Sequence, residues 1–377
     1  MIYLDNAATS GIKPSGVINA VGNALRQNSA NPGRSGYKVS METAYKIFSV
    51  RTRVKDFFGA DSEENVAFTL NCTHALNCVI KGIIADGGHI VTSDIEHNAV
   101  MRPLKKMADN RNVRINTVNT YQGDFEKTAE GFKNAIMPDT RLVICTHASN
   151  VTGAVNPVAQ IGEICKENGV PFAVDAAQSG AVLPIDMQKM NIDFLCVAPH
   201  KGLYAPMGTG ILIARKPLKN TVIEGGTGTS SLDFSQPGEM PERFESGTVN
   251  VPGIFGIGAG IDFVKSKGIE NIYRHEMELI RYLYKKLQKN KKIILYTPFP
   301  ENGLAVPVLS FNILGHSSVE AADLLARKNI AVRAGLHCAP TAHRKLKTEM
   351  EGTVRVSTSL FNTKNDIDYL VNVLKFL

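Results

Sequence analysis

Lys201 lies at the end of an apolar run, Cys196-Val-Ala-Pro-His-Lys-Gly-Leu-Tyr-Ala-Pro, which delivers an amine into a Gly- and Pro-rich turn. Burial disfavours the ammonium form, so an amine held there falls from its ordinary pKa toward neutrality and becomes a nucleophile toward aldehydes. Alone, this is the pattern of an ordinary loop lysine. A second apolar run upstream, Pro171-Phe-Ala-Val-Asp-Ala-Ala-Gln-Ser, carries Asp175 at its polar end. Asp175 by itself reads equally well as a turn or capping residue. Together they supply what pyridoxal phosphate requires: a lysine for the Schiff base, and a carboxylate to keep the ring nitrogen protonated while the ring draws electrons from a substrate Cα.

The cofactor's phosphate needs backbone donors and a positive dipole, which a helix N-terminus provides. Asn71-Cys72-Thr73-His74 follows the apolar strand Val66-Ala-Phe-Thr-Leu and precedes Ala75-Leu-Asn-Cys-Val-Ile-Lys-Gly-Ile-Ile, whose spacing suits a buried helix. In isolation Thr73 reads as a helix cap.

The ordered motifs resemble those of the class V aminotransferase-like enzymes of fold type I, and within them the cysteine desulfurases and selenocysteine lyases. The likeness runs from Tyr3-Leu-Asp-Asn-Ala-Ala-Thr through Asp94-Ile-Glu-His-Asn, Ser149-Asn-Val-Thr-Gly, Val174-Asp-Ala-Ala-Gln, Pro199-His-Lys and Glu245-Ser-Gly-Thr to Arg333-Ala-Gly-Leu-His-Cys. The resemblance implies that Lys201 carries the cofactor, Asp175 pairs with its ring nitrogen, Gln178 bonds the ring hydroxyl and His97 stacks on the ring. Thr73, the His74 backbone and His200 would hold the phosphate, and Cys72 beside them would line the cofactor site. Thr248 would reach it from a neighbouring subunit, which implies a homodimer. Arg355, in Gly352-Thr-Val-Arg-Val-Ser, matches the position that clamps the substrate carboxylate with a planar fork. Asn150 matches a contact near that carboxylate and the ring hydroxyl.

Cys338 selects the reaction. Of six cysteines, at 72, 78, 145, 165, 196 and 338, five lie in or beside apolar segments, where the thiol behaves as a small hydrophobe. Cys338 alone sits in a polar, cationic segment with Arg333, His337, His343, Arg344 and Lys345, and positive charge favours the thiolate. The surrounding frame resembles the cysteine loop of group II desulfurases, with one departure: Leu336-His337 stands where that group carries two consecutive histidines. The resemblance implies conversion of L-cysteine to L-alanine with a persulfide left on Cys338, for a protein or small thiol to collect. A selenocysteine lyase acting on L-selenocysteine and a true class V aminotransferase remain open, as does a non-catalytic scaffold.

The elements that must position these groups read as an α/β fold. Seven β-rich apolar segments, at 65–70, 89–95, 113–118, 141–149, 171–176, 194–198 and 208–214, mostly alternate with helix-length stretches, which implies a sheet covered on both faces. The resemblance makes it the mainly parallel seven-stranded sheet of fold type I enzymes. Asn71, Asn150, Asp175 and Lys201 all fall at strand ends, where open α/β sheets bind ligands. Three segments are expected: residues 1–14, contributing to the active site or small domain; 15–251, a large cofactor-binding domain; and 252–377, a bridging helical stretch and a small α+β domain carrying the cysteine loop. In the last, Thr363-Lys-Asn-Asp366 has the spacing of a helix start, with Ile367, Leu370, Val371 and Leu374 on one face.

At 377 residues, 44% apolar and 20% charged, the chain suits two packed lobes rather than disorder. No apolar run reaches the roughly 18 residues of a membrane span, and no basic-then-apolar leader opens the chain. A cytoplasmic protein with reduced thiols is expected, with no metal site and no membrane association. The net charge of +7 is modest. Its densest run, Lys285-Lys-Leu-Gln-Lys-Asn-Lys-Lys, reads as a solvated helix end rather than a nucleic-acid surface. The glycine-rich Glu224-Gly-Gly-Thr-Gly-Thr lacks the lysine of a nucleotide loop and is expected to be a mobile active-site loop.

Overall fold

Strands whose two faces are both apolar can be buried only by helices above and below. The computed structural model, which describes residues 1–32, 35–84, 86–229 and 231–377, has this layering. In chain order its elements are β1 (Ile2–Tyr3), α1 (Ser15–Gln27), α2 (Lys38–Phe58), β2 (Val66–Thr69), α3 (Cys72–Ile83), β3 (His89–Ser93), α4 (Asn98–Arg111), β4 (Arg114–Val118), α5 (Phe125–Ala135), β5 (Thr140–Thr146), α6 (Val158–Glu167), β6 (Phe172–Asp175), β7 (Phe194–Val197) and β8 (Gly210–Ala214). There follow α7 (Val251–Lys267), α8 (Ile269–Leu287), β9 (Ile293–Leu295), β10 (Val308–Ile313), α9 (Ser318–Arg327), β11 (Ile330–Ala331), α10 (Pro340–Leu346), β12 (Val354–Ser357) and α11 (Lys364–Leu374).

The seven expected strands form one sheet in the order β2-β8-β7-β6-β5-β3-β4. Its ladders are parallel except those of β8, which runs antiparallel to both β2 and β7. β8 reverses because the chain turns straight back after β7 instead of crossing over through a helix. That turn carries Lys201. One face of the sheet buries Val143, Val174, Leu195 and Ile211 against α2 and α7, and the other buries Ile90, Leu142, Ile144 and Leu212 against α3 and α4.

The C-terminal part builds a separate core on the antiparallel sheet β12-β10-β9, in which Leu309, Phe311 and Val356 pack with Leu283, Leu325 and Leu370. α11 starts as its spacing predicts. Thr363 and Asp366 form a reciprocal capping box, and Ile367, Leu370, Val371 and Leu374 are buried. The N-terminal segment crosses to this part: β1 pairs with β11, and Asp5 bridges Ser357. Short β1 and β9 and the one-lobe-to-the-other helix α10 were not expected from periodicity, because each is too brief for a repeat to show. The basic run at 285–292 does close α8 in solvent. No described helix is long and apolar enough to cross a membrane, and no described group of three or more His, Cys, Asp or Glu could hold a metal ion.

Candidate active site

Asp175 ends β6 and is 2% exposed, in register with Cys196 of β7. Two residues beyond that strand the backbone turns: the Lys201 N–H donates to Ala198 O at 3.1 Å, and Tyr204 N–H donates to Lys201 O at 3.0 Å. The turn is packed so closely that a Cβ on Gly202 would lie 2.2 Å from Gly180 O. Burial lowers the Lys201 pKa from its ordinary value; Asp175 opposes this and Arg355 reinforces it. Burial raises the Asp175 carboxyl, while the Ala177 N–H and the charge on Lys201 restrain it. Asp175 Oδ1 accepts from Ala177 N–H at 2.9 Å and lies 3.7 Å from the Cys72 thiol. Its second oxygen has no hydrogen bond among the described residues, so the carboxylate keeps capacity for one more donor.

Cys72, Thr73 and His74 form the first turn of α3. Its cap is Asn71, whose side chain accepts from His74 N–H at 2.9 Å, so Thr73 is not the cap but an exposed first-turn residue. Strand β8 approaches this turn so closely that a Cβ on Gly210 would lie 2.3 Å from Asn71 C, which only glycine tolerates. His200 has a buried Nδ1 with no partner among the described residues, and burial pushes its pKa down to about 4, helped by Lys201 and Lys13. Its carbonyl accepts from Ser10 N–H at 3.0 Å and Thr9 Oγ1 at 3.1 Å, joining the N-terminal segment to the lysine turn. Gln178 Nε2 donates to Ala7 O at 3.0 Å, which commits one of its amide hydrogens to that segment. Thr248 is exposed. It lines, with Thr69 and His74 of its own chain, a cavity of about 150 Å³. Glu245 fixes that stretch by accepting from Phe68 N–H at 2.6 Å and pairing with Arg51 at 2.5 Å.

The rim of the site comes from other elements. His97 caps α4, its Nδ1 accepting from Ala99 N–H at 3.0 Å. A neutral imidazole whose Nδ1 accepts carries its proton on Nε2. Burial pushes the His97 pKa down to about 4, with Lys201, Arg333, Arg355 and Arg102 acting the same way, so the ring is neutral at physiological pH. Arg355, in β12, is 1% exposed. Its Nη1 donates to Asn150 O at 3.0 Å and its Nη2 pairs with Asp5 at 2.8 Å, while Nε is buried without a partner among the described residues. An orphaned guanidinium N–H is costly unless something anionic arrives to accept it.

Cys338 is exposed, whereas the other five cysteines are buried, as expected. His337 and Cys338 both have left-handed backbone, with φ of 47° and 57°. Hydrogen bonds hold this strained pair: Asn98 N–H donates to Cys338 O at 2.7 Å, Asn150 Nδ2 donates to His337 O at 2.6 Å, and His337 Nε2 bonds Thr353 O at 3.0 Å and Thr353 Oγ1 at 3.2 Å. The cysteine backbone is thus fastened to the residue after His97 and to the neighbour of Arg355. One expectation is corrected here. His337 and His343 do not add positive charge to the loop, because both are buried and burial depresses their pKa.

Sequence reasoning missed two supporting carboxyls. Asp5 neutralises Arg355, and only its place in the Tyr3-Leu-Asp-Asn motif hinted at it. Glu96, fully buried beside His97, accepts from Thr146 N–H at 2.7 Å and from the Ser93 hydroxyl, and burial raises its pKa to about 8. The Glu224–Thr229 stretch is an exposed, irregular segment of which Thr227 and Thr229 line a cavity with Thr248.

The free acceptor on Asp175, the desolvated Lys201 amine, the open first turn of α3 and the orphaned His200 Nδ1 fit pyridoxal phosphate group by group. Comparison with known proteins agrees. Cysteine desulfurases are similar along the whole chain: a probable one from Synechocystis sp. is 31% identical, with 100% of this chain and 90% of that protein covered. One from Yersinia pestis is 33% identical, covering 98% and 92%. Among solved structures, the apo cysteine desulfurase of Thermococcus onnurineus NA1 superposes with a TM-score of 0.89 at 30% identity, covering 100% of this chain and 95% of that one. The cysteine desulfurase CsdA of Escherichia coli gives 0.86 at 26% identity, covering 99% and 94%. The aminotransferase class-V family model matches residues 2–370, and the chain belongs to that pyridoxal-phosphate-dependent family.

Proposed function

We propose that this protein is a cysteine desulfurase, which removes sulfur from L-cysteine, leaves L-alanine and carries the sulfur as a persulfide on Cys338. The observation that carries this reading is the fastening of an exposed cysteine, through Asn98 and Asn150, to the elements that present His97 and Arg355. A simple aminotransferase has no use for a thiol held there by two strained residues.

Bound pyridoxal phosphate supplies an aldehyde that captures the substrate amine and a ring that accepts electron density, which acidifies the Cα proton and loosens the Cβ–sulfur bond. Cys72, Thr73, His74, His200 and Thr248 would hold its phosphate; Lys201, Asp175, Gln178, Asn150 and His97 would hold and orient its ring. Arg355 receives the substrate carboxylate on the Nε–H it leaves unpaired, while Asp5 and the Asn150 carbonyl keep the guanidinium from rotating. Lys201, desolvated and therefore neutral enough to act as a base, takes the Cα proton. His97 presents Nε2–H as a donor. Cys338 as thiolate attacks the substrate sulfur, so that an S–S bond forms as the C–S bond breaks, and the carbon left behind is protonated to alanine. The sulfur then awaits an acceptor thiol.

We also divide the chain into the segments 1–14, 15–251 and 252–377 and read it as a homodimer. Ile18, Leu25, Met41, Tyr45 and Phe48, on α1 and α2, are each at least half exposed, large apolar side chains that a second copy would cover. Thr248 is exposed in the same chain and free to meet a neighbour.

Incubation of the holoprotein with L-cysteine, followed by intact-mass and peptide analysis, tests the reading: one added sulfur is expected, on the peptide containing Cys338. Alanine should accumulate without a keto acid. Sulfur found elsewhere, or alanine formed at an undiminished rate by Cys338→Ala, would refute it. Turnover restricted to L-selenocysteine would replace it by the lyase.

A further inference from the structure

The turn that carries Lys201 closes on a strained residue. Tyr204 has a left-handed backbone, with φ of 55°, and its N–H donates to Lys201 O at 3.0 Å. There the Cβ crowds the backbone, so a bulky residue stays in that conformation only where its surroundings hold it. The ring is held by Phe263 and Phe361, which meet it edge to face with centroids 5.4 Å and 5.8 Å away. The hydroxyl is held by an acid, donating to Glu276 Oε1 at 3.4 Å. Both residues are buried, so breaking this contact would strand two polar groups away from bulk water. Glu276 belongs to α8, and its carbonyl accepts from Thr358 Oγ1 at 3.1 Å, three residues beyond Arg355. It thus meets the lysine turn through its side chain and the chain just after the Arg355 strand through its backbone. An apolar residue would fill this place without the cost of desolvating an acid. Nor does packing alone secure the turn: Gly202 presses on Gly180 O, but the turn also borders a cavity of about 40 Å³ lined by Lys201, Gly202, Tyr204 and Glu276.

We propose that Glu276 is a positioning residue for Lys201: by holding the Tyr204 hydroxyl it fixes the residue that closes the turn, and so aims the amine into the site. The inference rests on the role given to Lys201 in the reading above. Without this anchor Tyr204 can relax toward an ordinary backbone, the hydrogen bond on Lys201 O is lost and the amine samples directions away from the aldehyde it must meet. The acid acts as a hydrogen-bond acceptor rather than as a charge. Burial raises its carboxyl to about 8, with the Tyr204 hydroxyl and the Leu360 N–H opposing, so at neutral pH the group is uncharged and an amide of the same outline can replace it.

Cofactor-free protein is mixed with pyridoxal phosphate and the growth of the Lys201-dependent absorbance band is timed. Hydrogen exchange is followed in the same cofactor-free protein at the Lys201, Tyr204 and Ala205 amides, all bonded within the turn. Glu276→Leu is expected to slow capture about tenfold and to quicken exchange at those three amides, with β6 unchanged. Tyr204→Phe should do the same, since it deletes the other half of one contact, and the two together should be no slower than either alone. Glu276→Gln should stay within about twofold of wild type, because it keeps the acceptor. In the loaded enzyme the Glu276→Leu loss should fall on kcat, with KM for L-cysteine kept, because Arg355 is untouched. Unchanged capture and exchange in Glu276→Leu overturn the proposal, as do losses that multiply in the double variant, a glutamine variant as slow as the leucine one, or a loss carried by KM. Should Glu276→Leu not fold, Tyr204→Phe, which removes a single oxygen, decides by the same measurements. Wild type that captures the cofactor yet leaves L-cysteine unchanged removes the desulfurase reading and leaves the capture and exchange results standing, so the two failures are told apart.

Discussion

The floor of the site and its rim are held by different physics. Asp175 and Lys201 sit at the ends of adjacent central strands, positioned by sheet register and by a core whose residues are almost wholly buried. Desolvation tunes their chemistry, raising the carboxyl and lowering the amine. Cys338 stands on an exposed loop placed by a few hydrogen bonds from α4, from Asn150 and from Thr353. The floor can change only if the sheet does, whereas the rim can be altered one bond at a time.

Substitutions that separate the two regions should therefore leave distinct traces. Lys201→Ala removes the amine that captures the cofactor and the base that takes the Cα proton, and activity is expected to fall by at least ~10³-fold. The absorbance band of lysine-linked cofactor should vanish with it. Cys338→Ala should abolish persulfide just as completely while that band remains, because nothing in the floor depends on the thiol. If both variants lose the band, the two regions are not independent and the contrast fails.

Arg355 spans both regions, since it packs in the C-terminal core yet meets Asn150 and Asp5. Arg355→Lys keeps the charge but loses the planar fork. kcat/KM for L-cysteine should drop by roughly 10- to 100-fold, mostly through KM, as expected for lost charge-assisted hydrogen bonds. Steady-state kinetics over a range of L-cysteine concentrations would check the split. A fall confined to kcat would mean that Arg355 does not hold the carboxylate.

How much was legible in the sequence follows the same divide. The seven strands, the strand-end placement of Asp175 and Lys201 and the capping box of α11 were readable because apolar runs and caps are local signals. Thr73, which in isolation reads as a helix cap, lies in the first turn of α3, because Asn71 two residues earlier takes the cap and its side chain accepts from His74 N–H. The rim was legible only through motif likeness. Nothing near Cys338 in sequence says that Asn98 will bind its carbonyl, or that burial will leave His337 and His343 uncharged. Asp5 and Arg355 are paired across nearly the whole chain, and a contact of that separation has no periodic trace.

A gentler break of the rim is Thr353→Val, which removes the hydroxyl 3.2 Å from His337 Nε2 but leaves the backbone acceptor in place. One buried hydrogen bond contributes about 0.5–1.5 kcal/mol, enough to raise the opening of residues 336–339 several-fold. Hydrogen exchange should quicken at those amides and stay unchanged in β6 and β7. Persulfide formation should slow only a few-fold.

A further effect concerns pH and lies beneath both regions. Glu96, next to His97, and Glu276, which accepts from Tyr204 at 3.4 Å, are both pushed up by burial to about 8. The folded protein therefore keeps protons that the unfolded chain releases above the ordinary carboxyl range, so these two stabilise at low pH and lose that contribution as pH rises toward 8. His97, His147 and His200 act with the opposite sign. Each is held down to about 4, so each favours folding as pH rises from 4 to the ordinary histidine value near ~6.5 and contributes no slope above it. Between those two limits lies a window, roughly pH 6.5 to 8, in which of these five groups only the carboxyls titrate. There the unfolding free energy from denaturant titration should decline with rising pH, by at most about 1.4 kcal/mol per pH unit for each carboxyl. Glu96→Gln should flatten the decline by about half, because the amide is already neutral in both states; an unchanged slope would mean that Glu96 is ionised in the folded protein and that the seat of His97 is charged.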